Sequence, residues 1–305
     1  MKKIIIGARG SQLSLIQTDI IKTLLQPLIP NATIEIKIIK TTGDKDMSPI
    51  PLDTIGKGWF TKAIDTQLLE NKIDLAVHSL KDLPETLPEG LIISAIPERE
   101  DAREALVTNN NMSLQQLKKG AVIGTDSTRR RVQILQMRKD LRVESVRGNV
   151  NRRLEKLDNK EYDGLCLAVA GLKRLGMLDR ITQYFDSTDF IPSPGQGALA
   201  VVSKKNKKEL NTLLAQMNHR PTIAAITAER AFSSAVGGGC KMPIGAYAEC
   251  INDTITLYAM LGSLDAKHMI KDSLQGNIDN PNDLGKTLAK NLLSLSTSWY
   301  AKEFN

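Results

Sequence analysis

The feature that most constrains this chain is the alternation, from residue 4 to about residue 170, of short apolar runs with stretches of helical periodicity. Ile4 to Ile6 is long enough only for a buried strand, and Leu13, Ile16, Ile20 and Leu24 then recur at helical spacing. Ile34, Ile36 and Ile38 return to a period of two residues, as a strand requires. A helix over 61–70, an apolar strand from Ile73 to Val77 and another from Leu91 to Ile96 complete a first series. A second series has a strand at Val122 to Gly124, a basic helix through Val132 to Leu135 and a strand over Leu141 to Val146. It ends with a helix over Asn151 to Leu157 and a very apolar strand from Leu165 to Ala170. Such alternation predicts an α/β fold of two units, each a parallel sheet with helices on both faces.

Ile191 to Gly197 reads as a segment crossing back to the first unit. From about residue 216 the pattern changes. A helix over Thr222 to Ser234 precedes a glycine run, and Ala246 to Glu249 pairs with Thr254 to Ala259 as a hairpin turning at Asn252 and Asp253. A terminal helix from Pro281 completes a small α+β domain. The expected domains are 1–98 with 191–215, then 99–190, then 216–305. The first two should enclose a cleft lined by loops at the carboxyl ends of strands.

Composition removes several function classes. The net charge of +7 suits an acidic partner, but aromatic residues are only 4%, too few for a base-stacking platform. No apolar stretch approaches the roughly 18 residues of a membrane span, and the run after Lys3 is too short for a secretory signal. Cys166, Cys240 and Cys250 contain no C-x-x-C pair, which fits a reducing compartment. The expectation is a cytoplasmic protein with neither membrane nor nucleic-acid partner. The histidines, His78, His219 and His268, form no metal-ligand motif. Gly56-Lys57-Gly58 lacks the spacing of a phosphate loop, and no G-x-S-x-G elbow occurs.

What remains is a set of residues at strand ends. Arg9, Arg129, Arg130, Arg147 and Arg153 follow predicted strands or open helices, where backbone donors favour anions and guanidinium groups suit carboxylates. Thr125, Ser127 and Thr128 add hydroxyls beside them. Asp82 follows an apolar strand, with Pro84 stiffening the turn, and could serve as a proton donor and a partner for developing positive charge. Cys240 ends Gly237-Gly238-Gly239-Cys240, where absent side chains let a ligand approach a thiol near Lys241. Cys166, inside an apolar strand, reads as a small buried residue, and so does Cys250.

These segments resemble the porphobilinogen deaminase (hydroxymethylbilane synthase) family. The matching stretches include Gly7-Ala8-Arg9-Gly10-Ser11, Gly56-Lys57-Gly58-Trp59-Phe60, His78-Ser79-Leu80-Lys81-Asp82-Leu83-Pro84 and Gly124-Thr125-Asp126-Ser127-Thr128-Arg129-Arg130. Arg147-Gly148-Asn149-Val150, Pro194-Gly195-Gln196-Gly197-Ala198 and Gly238-Gly239-Cys240-Lys241-Met242-Pro243 continue them along nearly the whole chain. The resemblance implies two domains like those of type II periplasmic binding proteins, plus a small third domain. It implies a transferase of tetrapyrrole (heme) biosynthesis and a dipyrromethane cofactor held as a thioether on Cys240. Four porphobilinogen units would be joined head to tail with loss of ammonia, and hydrolysis would release hydroxymethylbilane. By the same matching, Asp82 would be the catalytic carboxylate. Lys81, Asp82, Thr125, Ser127, Arg129, Arg130 and Arg147 would hold the cofactor. Arg9, Ser11, Gln17, Lys57, Arg147 and Arg153 would hold substrate. No metal is implied, and a monomer is the family expectation.

Three residues depart from the family pattern. Asp126 stands where an uncharged hydroxyl residue is usual and is expected to pair with a neighbouring arginine. Gly237 replaces a commonly acidic residue, and Trp59 is bulkier than the expected aliphatic. The alternative reading, a non-catalytic anion-binding module of periplasmic-binding-protein type, explains the α/β units and the arginines. It leaves Cys240 in its glycine loop unexplained.

Overall fold

Both alternating series form sheets, but of mixed direction. In a computed structural model of the chain, residues 2–41, 61–237, 242–296 and 299–300 are described. They fall into two compact units, Met1–Glu100 with Gly197–Ile223 and Asp101–Gln196 with Ala224–Asn305. The first unit receives β1 (Lys3–Ala8), β2 (Thr33–Ile38), β3 (Leu75–Ser79) and β4 (Leu91–Ala95), with helices α1 (Gln12–Leu25) and α2 (Lys62–Leu69). The chain then enters the second unit as β5 (Glu104–Thr108), followed by β6 (Val122–Gly124), β7 (Arg142–Glu144), β8 (Gly164–Ala168) and β9 (Gln183–Phe185). Helices α3 (Thr128–Met137), α4 (Val150–Asp158) and α5 (Val169–Arg174) lie between them. Returning at Gly197, the chain adds β10 (Leu199–Lys204) and α6 (Lys208–Leu214) to the first unit.

The strand orders are β2-β1-β3-β10-β4 and β7-β6-β8-β5-β9, one plan used twice. β1 runs parallel to β2 and β3, and β6 to β7 and β8. β10 is antiparallel to β3 and β4, and β5 to β8 and β9, which corrects the expectation of wholly parallel sheets. In each sheet the reversed strand is the one that follows a crossing between units. Periodicity marks a segment as buried strand without recording its direction.

Helix α1 supplies a second correction. The apolar stripe read from the sequence is its more exposed side: Ile20 and Leu24 are 37% and 43% exposed. Ser14, Gln17, Thr18, Ile21 and Leu25 are buried instead. Ile21 and Leu25 join Ile4, Ile6, Leu75, Val77 and Val201 in the first unit's core. The buried polar residues are tolerated because they are hydrogen-bonded: Thr18 Oγ1 donates to the Ser14 carbonyl at 2.8 Å, and Gln17 Nε2 to Ser79 Oγ at 2.8 Å. Boundaries also moved. Ile73 and Asp74 precede β3, while Val169 and Ala170 open α5 rather than extend β8; Ile73, Val169 and Ala170 are buried.

α7 (Arg220–Val236), whose residues from Ala224 onward belong to the second unit, lies before the antiparallel sheet of β11 (Ile244–Ile251), β12 (Thr254–Gly262) and β13 (Met269–Asn277), and α8 (Pro281–Leu295) follows. The predicted hairpin is present: Ile251 pairs with Thr254, and Asn252 takes φ 55°, a left-handed conformation that asparagine tolerates. β13 was not legible as a strand, since its burial does not alternate cleanly. Ala228, Phe232, Leu257, Leu288 and Leu292 share one core. A Cβ at Gly285 would stand 2.4 Å from the Ala228 carbonyl oxygen, so glycine permits this helix contact. No helix among the described residues is long and apolar enough to cross a membrane.

Candidate functional site

In the first unit the candidate residues follow the ends of β1 and β3. β1 ends at Ala8, Arg9 comes next and is half-buried, and Ser11 caps α1 by accepting the Ser14 N–H at 3.3 Å. The Gln17–Ser79 bond ties α1 to the last residue of β3. Residues Leu80–Asp82 then form a single 3-10 turn. Leu80 N–H donates to the Ala198 carbonyl at 3.0 Å, and Leu83 N–H to the Leu80 carbonyl at 3.0 Å. Leu80 and Leu83 are buried, Lys81 is half-buried and Asp82 is exposed. Two leucines anchored inward thus hold a carboxylate outward on a short, hydrogen-bonded turn.

His78, to which the sequence assigned no role, lies in β3 two residues before this turn. It is 6% exposed, and its Nε2 has no hydrogen-bond partner. Burial, helped by the Arg9 charge, pushes its pKa down to about 4. The imidazole is therefore neutral at pH 7.

In the second unit the candidates gather at the start of α3 and the β7–α4 turn. Thr125 N–H donates to the Glu144 carbonyl at 2.8 Å, and Thr125 Oγ1 accepts the Ser127 N–H at 3.2 Å. Ser127 caps α3, accepting the Arg130 N–H at 3.3 Å. Gly148, at φ 112°, and Asn149, which caps α4, turn the chain between Arg147 and Arg153.

The arginines divide into two kinds. Arg129 and Arg130 are 4% and 7% exposed and close on Glu104, which is fully buried. Arg129 Nη2 donates to Glu104 Oε1 at 2.5 Å, while Arg130 Nε and Nη2 donate to Oε1 and Oε2 at 3.0 and 2.7 Å. Each also reaches a carbonyl, Ile191 at 2.8 Å and Cys166 at 2.9 Å. Burial opposes the charge on both. Glu104 offsets it enough to shift Arg130 upward, while Arg129, also repelled by Arg130, is shifted down. In the observed arrangement these two bind an internal carboxylate, that of Glu104.

Arg147 and Arg153 are the more open pair, with side chains 32% and 21% exposed. Asp126 Oδ2 lies 3.9 Å from Arg147 Nε and 3.6 Å from Arg153 Nη2. Asp126 therefore pairs with these arginines and not with its sequence neighbours. The Ser145 hydroxyl donates to its other oxygen.

Glu104 and Ser145 escaped sequence reasoning because only strand pairing and turn geometry give them partners. Glu229 escaped it for the same reason: buried in α7, it accepts the Gly195 and Ala248 N–H groups at 2.7 and 2.8 Å. That helix runs to Val236, and Gly237 follows at φ 79°, with open space where a Cβ would be. Its backbone conformation, not crowding, favours glycine. Cys240, Lys57 and Trp59 lie outside the described residues. Cys166 is buried, as expected, and Cys250 is half-buried.

Partly exposed guanidinium groups beside hydroxyls and a helix amino end form a donor set suited to carboxylates. The same arginine pair, Arg147 and Arg153, lies near one carboxylate of the chain, that of Asp126. A cofactor bearing acetate and propionate groups fits such a set.

Comparison with known proteins gives the same chemistry. Residues 4–212 match the family model "Porphobilinogen deaminase, dipyromethane cofactor binding domain", and residues 223–294 match the model of the C-terminal domain. The porphobilinogen deaminase of Alkaliphilus metalliredigens is 43% identical over 294 residues, 96% of this chain and 93% of that one. That of Oceanobacillus iheyensis is 41% identical over 295 residues, 96% and 95% of the two chains. That of Francisella tularensis subsp. tularensis is 43% identical over 296 residues, 97% of each. Among solved structures, an arginine-specific periplasmic binding protein of Salmonella typhimurium covers 71% of this chain and 92% of its own. Its TM-score is 0.39 and its identity 13%, a likeness that bears on neither ligand nor reaction. With both family models matched in order and identity of 43% over nearly the full length, the chain belongs to the porphobilinogen deaminase family.

Proposed function

We propose that the chain joins porphobilinogen units through Asp82 as acid–base group, with Cys240 as the tether and Arg147 and Arg153 as the carboxylate receptor. The reaction is the family's: stepwise head-to-tail condensation of four units with loss of ammonia, then hydrolysis to hydroxymethylbilane. When bound, the dipyrromethane cofactor supplies the pyrrole end to which the first unit is joined. An amine leaves readily only when protonated, and the carbon it leaves becomes electron-poor. A carboxyl group can deliver that proton and, once ionised, balance the positive charge. The exposed Asp82, fixed by its buried leucine neighbours, suits both roles.

Every pyrrole of the substrate carries two carboxylates, so the receptor must neutralise negative charge repeatedly. Arg147 and Arg153, with Thr125 and Ser127, are our assignment for that work. Arg9, Ser11, Gln17, Lys57 and Lys81 are assigned the remaining contacts. Arg129 and Arg130 act by fixing the start of α3 through Glu104. A thiol at Cys240 would form a thioether, which resists hydrolysis where an ester would not. The domain division we adopt is 1–98 with 191–215, 99–190, and 216–305 carrying Cys240. The chain is read as a cytoplasmic monomer. The need for a reduced Cys240 and the lack of any C-x-x-C pair in the sequence support a reducing compartment.

The observation that carries this reading is the partly exposed Arg147–Arg153 pair drawn to a carboxylate. A non-catalytic anion-binding module is not favoured, because relatives matching end to end are named as the enzyme. The test is an intact mass spectrum before and after addition of porphobilinogen. An adduct of two pyrrole units that maps to Cys240, grows in single-pyrrole steps and is absent from Cys240→Ser is expected. A wild-type chain that stays unmodified with substrate overturns the proposal.

A further inference from the structure

We infer that Asp126 is a built-in competitor for the ligand's carboxylates, setting how tightly Arg147 and Arg153 hold an acidic substrate. The inference rests on the reading of those arginines as the receptor. Three observations carry it.

The first is position: one oxygen of Asp126 lies 3.9 Å from Arg147 Nε and 3.6 Å from Arg153 Nη2, so a single carboxylate serves both guanidinium groups. The second is its support. Ser145 donates to the other oxygen, and Tyr162 Oη donates to the Ser145 carbonyl at 2.6 Å, fixing the residue that orients the aspartate. Arg153 Nε donates to the Gly148 carbonyl at 2.9 Å, which fixes the turn from the other side. The third is the quality of the pairing. At Arg138 the guanidinium grips Asp140 with bonds of 2.8 and 2.7 Å, whereas the Asp126 separations exceed hydrogen-bond length. Asp126 thus balances the charge of both arginines without taking up a bidentate fork. A ligand carboxylate can make that stronger contact, but it must do so against the charge of Asp126. The receptor is weakened, not blocked, which suits an enzyme that must let a lengthening acidic chain move after every addition.

The test uses the holoenzyme and porphobilinogen, with initial rates for wild type, Asp126→Ser, Asp126→Asn, Asp126→Glu, Arg147→Gln and Arg153→Gln. The asparagine keeps a partner for Ser145 and covers the case in which serine disturbs the turn. Partly exposed ion pairs are worth a fraction of a kcal/mol each, so releasing two should lower KM about two- to tenfold. The gain should fall in KM rather than in kcat, and Asp126→Glu should restore the wild-type KM. Because removing Asp126 adds one net positive charge at the receptor, kcat/KM should also depend more steeply on ionic strength. A merely structural role for Asp126 would produce neither the KM decrease nor the salt effect. If the arginine variants raise KM while Asp126→Ser and Asp126→Asn leave it unchanged or higher, this inference is overturned and the receptor reading stands. If the arginine variants leave KM unmoved, the receptor reading fails, and the inference with it.

Discussion

Replacing Glu104 by glutamine keeps the shape of the site and removes the one charge that two buried arginines share. Three bonds of 2.5, 3.0 and 2.7 Å converge on this carboxylate, and none of it is exposed. Removing one partner of a buried ion pair costs about 3–5 kcal/mol, because the surviving charge is left without compensation. Here two charges survive, but the Ile191 and Cys166 carbonyls still accept one N–H from each arginine. The lower end of that range, about 3 kcal/mol, is therefore expected. For a unit of this size each kcal/mol moves the melting midpoint by roughly 2–4 °C, so Glu104→Gln should lower Tm by about 6–12 °C. Circular dichroism melts of wild type and variant at pH 7 measure it. A midpoint within about 2 °C of wild type would falsify the view that Glu104 holds the two arginines in place.

Two further perturbations test other parts of the molecule. His78 has a pKa of about 4 in the folded chain against 6.5 when free, so the unfolded chain binds more protons between those values. Stability should be fully present above pH 6.5 and lost as pH falls toward 4, by about 2 kcal/mol between pH 7 and pH 5. Urea unfolding at the two pH values should show that loss in wild type and not in His78→Phe; equal losses in both would remove His78 as the cause. Asp82→Asn should reduce turnover by two or more orders of magnitude while the cofactor remains attached, the scale expected when a general acid is removed. Rapid-quench rates near wild type for the amide would take Asp82 out of the chemistry.

How much was legible in the sequence depended on the range of the interaction involved. Strand and helix identities came from local periodicity, and the hairpin at Asn252 and Asp253 came from turn chemistry; both survive in the structure. The turn carrying Asp82 was also legible, since an apolar strand, a charged pair and a proline occur there in immediate succession. The buried face of α1 was not. Four apolar residues at helical spacing predicted one side, yet the sheet took Ile21 and Leu25 together with polar residues that find partners. Hydrophobic spacing registers burial without registering hydrogen bonds that make a polar side chain equally acceptable inside.

The arginines show where local reasoning ends. By itself the sequence determined many of the secondary elements, though not β5, β9, β10 or β13, together with the placement of the candidate arginines after strands or at helix starts, the turn of Asp82 and the family resemblance. Only the tertiary structure decided the direction of β5 and β10, because strand order and sense are set by pairings between residues far apart in the chain. That same pairing sets Glu104 opposite Ala168 and brings it to Arg129 and Arg130. Arg147 and Arg153 are instead partly exposed, and lie 3.9 and 3.6 Å from Asp126. A guanidinium group looks the same in a sequence whether it binds its own protein or a ligand. Burial and the closeness of the internal carboxylate, not the residue type, distinguish the two pairs of arginines.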